Sequence, residues 1–234
     1  MQVGRGGRRV WTALGRALIL AVAGALAALL ALTALWTVAP PVSTLMLARY
    51  ATAAPVTRTY APLDHIAPAL AAAVILSEDA RFCAHAGVDW KAIGEVLEEA
   101  DEDGPARGAS TIAMQVAKNL FLWPSRSALR KGLEIPLALG LDLVWPKRRM
   151  LEVYLNIAEW GPNGVFGAEA AARARFGKSA RALTPLEAAL LAKTLPNPLA
   201  RNPARPSAGL LRLSHRLAAQ LPTAAALVEC LGEG

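Results

Sequence analysis

Acidic residues are missing from the start of this chain: no Asp or Glu occurs before Asp64, although Arg5, Arg8, Arg9 and Arg16 do. Charge of either sign is absent from 17–39, where Thr33 and Thr37 are the only polar residues. Cysteine is limited to Cys83 and Cys230, and histidine to the scattered His65, His85 and His215. No H-E-x-x-H or C-x-x-C spacing occurs, so a zinc site finds no support. No β-alternating run with hairpin signals is present, which leaves an all-α fold class. Internal repeats and low-complexity tracts are also lacking, apart from general alanine richness.

What is present begins with length and hydrophobicity. The 234 residues fit an anchor plus one domain, and 54% hydrophobic content exceeds what a soluble domain needs. As a helix, 17–39 would be roughly 34 Å long, enough to cross a hydrocarbon core of about 30 Å. A cleaved signal peptide would carry a shorter apolar region, about 7–15 residues, and no convincing small-x-small cleavage site precedes Pro40-Pro41. The four arginines ahead of the span, against Arg49 and Arg58 shortly after it, place the amino terminus in the cytoplasm by the positive-inside bias. The expected organisation is a basic tail over 1–16, a transmembrane helix over 17–39, a juxtamembrane linker over 40–63 and an external domain over 64–234.

The net charge of +7 says little about nucleic acid, because those four arginines supply much of it. Without them 21 basic residues face 18 acidic ones. A bridge between Cys83 and Cys230 would close a very long loop, so two free, buried thiols are the expectation, although the inferred compartment permits disulfides.

The densest chemistry lies after Ala67-Pro-Ala-Leu-Ala-Ala-Ala-Val-Ile-Leu76, a helix with Pro68 in its first turn. On a helical period Leu70, Val74, Glu78 and Phe82 share one face, so Glu78 projects from an apolar stripe. A carboxylate there needs partners or a task. Asp79, Arg81 and His85 are candidate partners, and an ion pair of Glu78 or Asp79 with Arg81 is the bland alternative. Asp89 then caps a helix carrying Trp90, Ile93 and Leu97, and the acidic run from Glu98 to Gly104 reads as a loop.

The spacing E-D-x-x-F-x-x-H-x-G-x-D, Glu78 to Asp89, resembles the first signature of the peptidoglycan glycosyltransferases, glycosyltransferase family 51. The run from Arg107 to Leu122 resembles the second, G-G-S-T-I-x-Q-Q-x-A-K-N. It departs at Ala109 and at Met114, where many members carry glutamine. Ile112, Val116 and Leu120 form its buried stripe, while Ser110, Thr111, Gln115, Lys118 and Asn119 offer polar groups suited to a sugar diphosphate. Arg126 to Glu134 is similar to the third signature, R-K-x-x-E, with Arg126, Arg130 and Lys131 ahead of the carboxylate. An exposed Arg130–Glu134 salt bridge is the alternative reading there. Pro136 is a departure expected to remove a hydrogen bond to Gly132. Lys147 to Asn156 resembles the fourth signature, with Glu152, Tyr154 and Asn156 expected to buttress the cleft.

The likeness covers roughly Ala67 to Pro198, and it is nearest to the monofunctional enzymes, because no S-x-x-K or K-T-G of a transpeptidase is present. It implies a lysozyme-like helical domain with a smaller, membrane-touching lobe. The implied reaction is polymerisation of lipid II into β-1,4-linked glycan, with release of undecaprenyl diphosphate. Glu78 is then the general base and Glu134 the second catalytic carboxylate, an organiser of the diphosphate site. Asp79, Phe82 and His85 support the first. The resemblance leaves the metal requirement open: it fixes no cofactor, and a divalent cation, magnesium or manganese, could join the diphosphate. Implied partners are lipid II, the growing glycan strand, the membrane and other wall-synthesis proteins, with no nucleic acid. A lytic transglycosylase or lysozyme-like hydrolase, and a catalytically silent scaffold, are the competing readings.

Overall fold

The computed structural model describes residues 4–98, 109–125 and 127–232. Of the loop expected from Glu98 to Gly104, Glu98 ends a helix and residues 99–104 lie outside the described residues, as does Arg126. The chain divides into two compact units, Met1–Ala39 and Pro40–Gly234. In the first, α1 (Gly4–Leu35) contains the apolar stretch Trp11–Leu35, whose 25 residues would span about 37 Å. It is long and apolar enough to cross a membrane. The helix stops short of the expected Ala39, and backbone bonds from Trp36 and Ala39 to Leu32 and Leu35 close its end before Pro40.

The second unit is helical, as the sequence implies. Its helices are α2 (Thr44–Ala51), α3 (Pro68–Glu78), α4 (Trp90–Glu98), α5 (Ile112–Phe121), α6 (Ala128–Val144), α7 (Lys147–Ile157), α8 (Ala168–Phe176), α9 (Pro185–Thr194) and α10 (Ala208–Gln220). Their starts follow from side-chain caps. Ser43, Thr111, Ser127 and Ser207 each accept a backbone N–H of the first turn of α2, α5, α6 and α10. The sequence Thr184-Pro-Leu-Glu187 spells a capping box, and Thr184 and Glu187 form it at α9, with Pro185 at the first position. Pro136 lies inside α6, which runs on through it to Val144.

A small sheet departs from a purely helical reading. Strands β1 (Thr57–Arg58), β2 (Glu159–Gly161) and β3 (Val165–Phe166) pair in the order β1-β3-β2, with β1 parallel and β2 antiparallel to β3. Strands of two or three residues are too short to show an alternating pattern, which is why none was visible. The segment 40–63, expected as a linker, is built into this unit. β1 joins it to the sheet, and Thr44 Oγ1 donates to the carbonyl oxygens of Asn119 and Leu122. Arg49 pairs with Glu159 at 2.8 Å.

The core centres on α3. Leu70 to Ile75 are buried on every side of that helix, not along one stripe. Phe82 is also fully buried, but it sits in a short 3-10 turn, Phe82–Ala84, beyond the end of α3. Cys83 in that turn is bonded to Cys230, so the expectation of two free thiols is overturned. Their sequence separation is 147, and no periodicity or spacing in the chain could bring them together.

Asn156 shows how the start of the domain is held. Buried in α7, it accepts from Ala61 N at 2.9 Å and donates to Ala61 O at 2.8 Å. Glu152, one turn earlier, accepts from Tyr60 Oη at 2.6 Å and Leu63 N at 2.9 Å. Both residues therefore brace the segment before α3 and not the cleft itself. Asn156→Ala strands two buried backbone groups, at about 1–3 kcal/mol each. The expected fall in Tm is roughly 5–15 °C, read by calorimetry; an unchanged Tm would show that this brace carries no stability.

Candidate active site

Two adjacent carboxylates at the end of α3 point to different tasks. Asp79 is buried; its Oδ2 accepts the backbone N–H of Ile112 at 2.9 Å, and its Oδ1 bonds His85 Nε2 at 2.9 Å. It thus fastens the end of α3 to the positive N-terminus of α5. Thr111 caps the same terminus and donates to Gly87 O at 2.6 Å. Its hydroxyl is consumed in this way, so the sequence expectation that it binds substrate gives way to a structural role. Gly87 itself has φ +73° and lies where a Cβ would stand 2.6 Å from Ala138 O. That close approach to α6 explains the glycine of the signature.

Glu78, the neighbour of Asp79, is half-buried and does not pair with Arg81. Arg81 instead holds Asp89 through two 2.8 Å bonds and reaches Glu95 at 3.4 Å. The partner of Glu78 is Gln115, whose Nε2 donates to Oε2 at 3.1 Å. Tyr154 orients that amide by donating its hydroxyl to Gln115 Oε1 at 3.1 Å. Burial pushes the Glu78 carboxyl above its usual value, opposed by the Gln115 bond and by Lys193, Lys118 and Ser77. Met114, the departure from the family pattern, is buried in the core, so it withdraws nothing from this arrangement.

Along α5 the site opens into adjoining cavities. One of about 650 Å³ is lined by Glu78, Asp79, Arg81, Ser110 and Gln115. A second, about 480 Å³, is lined by Thr44, Lys118, Asn119, Trp123 and Arg130. A third, about 270 Å³, shares Gln115, Lys118 and Asn119 and adds Tyr154 and Glu159. One face of α5 therefore runs from the carboxylate to a cationic region. Burial lowers the affinity of Lys118 for its proton; Glu134 opposes this, while Arg130 and Lys131 add to it. A desolvated ammonium beside two further cations is built to receive an anion.

Glu134 is the counterpart to Glu78. It is buried on α6, and both of its oxygens face cations: Oε1 takes Arg130 Nη1, and Oε2 takes Lys131 Nζ at 3.0 Å. Lys131 also donates to Ser110 Oγ. The exposed i, i+4 bridge of the alternative reading is thus a buried pair that spaces the cations of the cavity. With both oxygens engaged, Glu134 is not an open metal ligand. Asp79, His85 and Asp89 have ligand atoms within 4.8 Å of one another, yet Arg81 occupies Asp89 and Ile112 N occupies Asp79. Neither set fits a divalent ion.

Sequence reasoning missed Lys193. From α9 it donates to Ser77 Oγ at 3.0 Å, and burial lowers its pKa while Glu78 raises it. The available signal was its isolation: it is the single charge in the apolar run 188–195. Lys147 was assigned only to a signature, but its Nζ donates to His85 O at 2.6 Å and to Asp142 at 2.7 Å. It lies 4.9 Å from the centre of the Phe82 ring and so braces the turn behind Glu78.

The native Glu78 carboxyl is expected to titrate above the ordinary 4.5. Because the fold favours its neutral form, this group's contribution to stability is present at low pH and lost as the pH rises through the native value. Gln115→Leu removes a bond to the charged form and should raise the midpoint further, as should Lys193→Met. The measurement is the ¹³C carboxyl shift of labelled glutamate against pH. A midpoint at or below 4.5, or a downward move in Gln115→Leu, contradicts the assignment of causes.

Known proteins can be set beside this geometry. The sequence profile of the family described as Transglycosylase matches residues 45–221. A biosynthetic peptidoglycan transglycosylase of Rhodopseudomonas palustris strain HaA2 is 54% identical over 184 residues, covering 78% of this chain and 81% of that protein. Proteins of the same name from Brucella suis and Agrobacterium fabrum are 53% and 50% identical over 191 residues, each covering 82% of this chain. The match to the profile takes in α5, α6 and α7 together with Glu78, Lys118, Glu134 and Lys193, and on that footing the chain belongs to the transglycosylase family.

Proposed function

We propose that this protein polymerises lipid II into β-1,4-linked glycan strands and releases undecaprenyl diphosphate. The observation that carries the reading is the pairing along α5 of a desolvated carboxylate, Glu78, with a cavity lined by Lys118 and Arg130. Glu78 takes the proton of the acceptor 4-hydroxyl as that oxygen attacks the anomeric carbon of the donor. The bond from that carbon to the diphosphate breaks, and its electron pair leaves on the phosphate oxygen. Lys118 and Arg130 balance the charge as it develops, held at their spacing by Glu134. A single displacement inverts the anomeric centre, in the manner of inverting glycosidases that use two carboxylates. By its place in the third signature, Arg126 is a further candidate for that charge balance. No step is routed through a metal ion.

The anchor follows from the substrate. Its lipid tail stays in the bilayer, and α1 would keep the site beside it, with the amino terminus cytoplasmic and the catalytic unit outside. The Cys83–Cys230 disulfide supports that placement, because such bonds persist in oxidising compartments.

Purified full-length protein given labelled lipid II should make long glycan; soluble fragments from preformed glycan, without polymer, would instead favour a hydrolase. Glu78→Gln keeps the shape but removes the proton acceptor, so turnover should fall about 10²–10⁴-fold with lipid II still bound. Glu134→Gln frees the cations it spaces and should weaken binding and turnover together. Lys118→Ala should weaken lipid II binding by roughly 2–3 kcal/mol. Near-normal polymerisation by folded Glu78→Gln would end the base assignment.

A further inference from the structure

We infer that the Cys83–Cys230 disulfide clamps the turn behind the catalytic glutamate, so that thiol oxidation of the exported chain completes its active site. The inference rests on the reading of Glu78 given above, and on where the bridge lies. Cys83 occupies the turn Phe82–Ala84, between Asp79, which fastens α3 to α5, and His85, which bonds Asp79. Cys230 occupies the closing 3-10 segment Ala225–Leu231, which packs against α3, α7 and the same turn.

That closing segment packs on α3 and α7, and the bridge is its covalent tie to the turn. A largely apolar cavity of about 330 Å³ lies between it and the domain, with Leu63, Ile66 and Ala71 on one side and Val228 and Leu231 on the other. This open cleft leaves Val228 and Leu231 with fewer packing partners on that side. Its polar tie to α7 is a 3.3 Å bond from Arg148 Nη1 to Leu231 O. The covalent bond adds to that packing a tie that ends in the 82–84 turn itself. From there the path to the chemistry is short: His85 and Asp79 set the N-terminus of α5, and α5 carries Gln115 to Glu78.

Both cysteines are partly exposed, so a thiol reagent or a protein disulfide can reach them. In maturation, the Cys83 and Cys230 thiols give up two electrons and two protons to the disulfide of a thiol oxidase, which leaves as a dithiol. A dithiol reductant reverses the exchange.

The test compares full-length protein in detergent, oxidised, reduced with a dithiol and reoxidised, with thiols counted in each state. Backbone hydrogen exchange is followed at 79–88 and 221–232, and kcat/KM for lipid II polymerisation is measured well below the melting temperature of either form. Reduction should speed exchange in both segments and lower kcat/KM about tenfold through misplacement of the base; reoxidation should restore both. Cys83→Ser with Cys230→Ser should behave as the reduced form. Faster exchange confined to 221–232, or a lowered Tm with an unchanged kcat/KM, would overturn the clamp and leave an ordinary staple. If neither form makes polymer, the exchange at 79–88 still decides the clamp, and the failure falls on the proposed reaction.

Discussion

Asp79 accepts the backbone N–H of Ile112, and through that bond the end of α3 meets the start of α5. The consequence is geometric. Glu78 precedes Asp79 by one residue and Gln115 lies one turn into α5, so fixing the two helix ends brings Glu78 and Gln115 to 3.1 Å. His85, Thr111 and Gly87 secure the same junction from the turn between the helices. Removing the Asp79 carboxylate would strand the Ile112 N–H and loosen the join that sets Gln115 against Glu78. One carboxylate is spent on structure so that its neighbour can be free for chemistry.

The remaining organisation is a contrast of surroundings. Glu78 sits at the end of a helix buried on all sides, where desolvation outweighs the cations that face it. Glu134 is the more deeply buried of the two, yet both of its oxygens are engaged by Arg130 and Lys131. The first arrangement suits a proton acceptor, and the second holds positive charge where the proposed leaving group would sit. Lys118 connects them, because it is close enough to feel both carboxylates and is itself desolvated. A transglycosylase needs this pairing of base and anion site along one groove.

Much of this was legible in the chain because it is encoded locally. The helix with Pro68 at its start, the capping box at Thr184 and the buried face of α5 follow from short-range pattern, and the structure bears each of them out. Glu78, Gln115, Lys118, Arg130 and Glu134 were found through signature spacing, and the structure sets Glu78 on Gln115 and Arg130 on Glu134. What escaped was long-range. Arg81 turned to Asp89 instead of Glu78 because helix α3 ends and the chain reverses. Glu152 and Asn156 brace residues some ninety positions earlier, a relation that no periodicity carries. The disulfide and Lys193 belong to the same class, since each acts on residues that only the folded chain brings near.

The central claim is that the desolvated Glu78 carboxylate is the base, its pKa raised by burial and held back by the Gln115 bond. The direct test is the pH dependence of kcat/KM for lipid II polymerisation by the oxidised, full-length protein. Because the ionised form is the active one, the rate should rise with pH along an acid limb lying above 4.5. That limb should coincide with the titration midpoint of Glu78 in the free enzyme and move up with it in Gln115→Leu. A limb that ignores the Gln115 substitution, or one that persists unchanged in Glu78→Gln, would contradict the account.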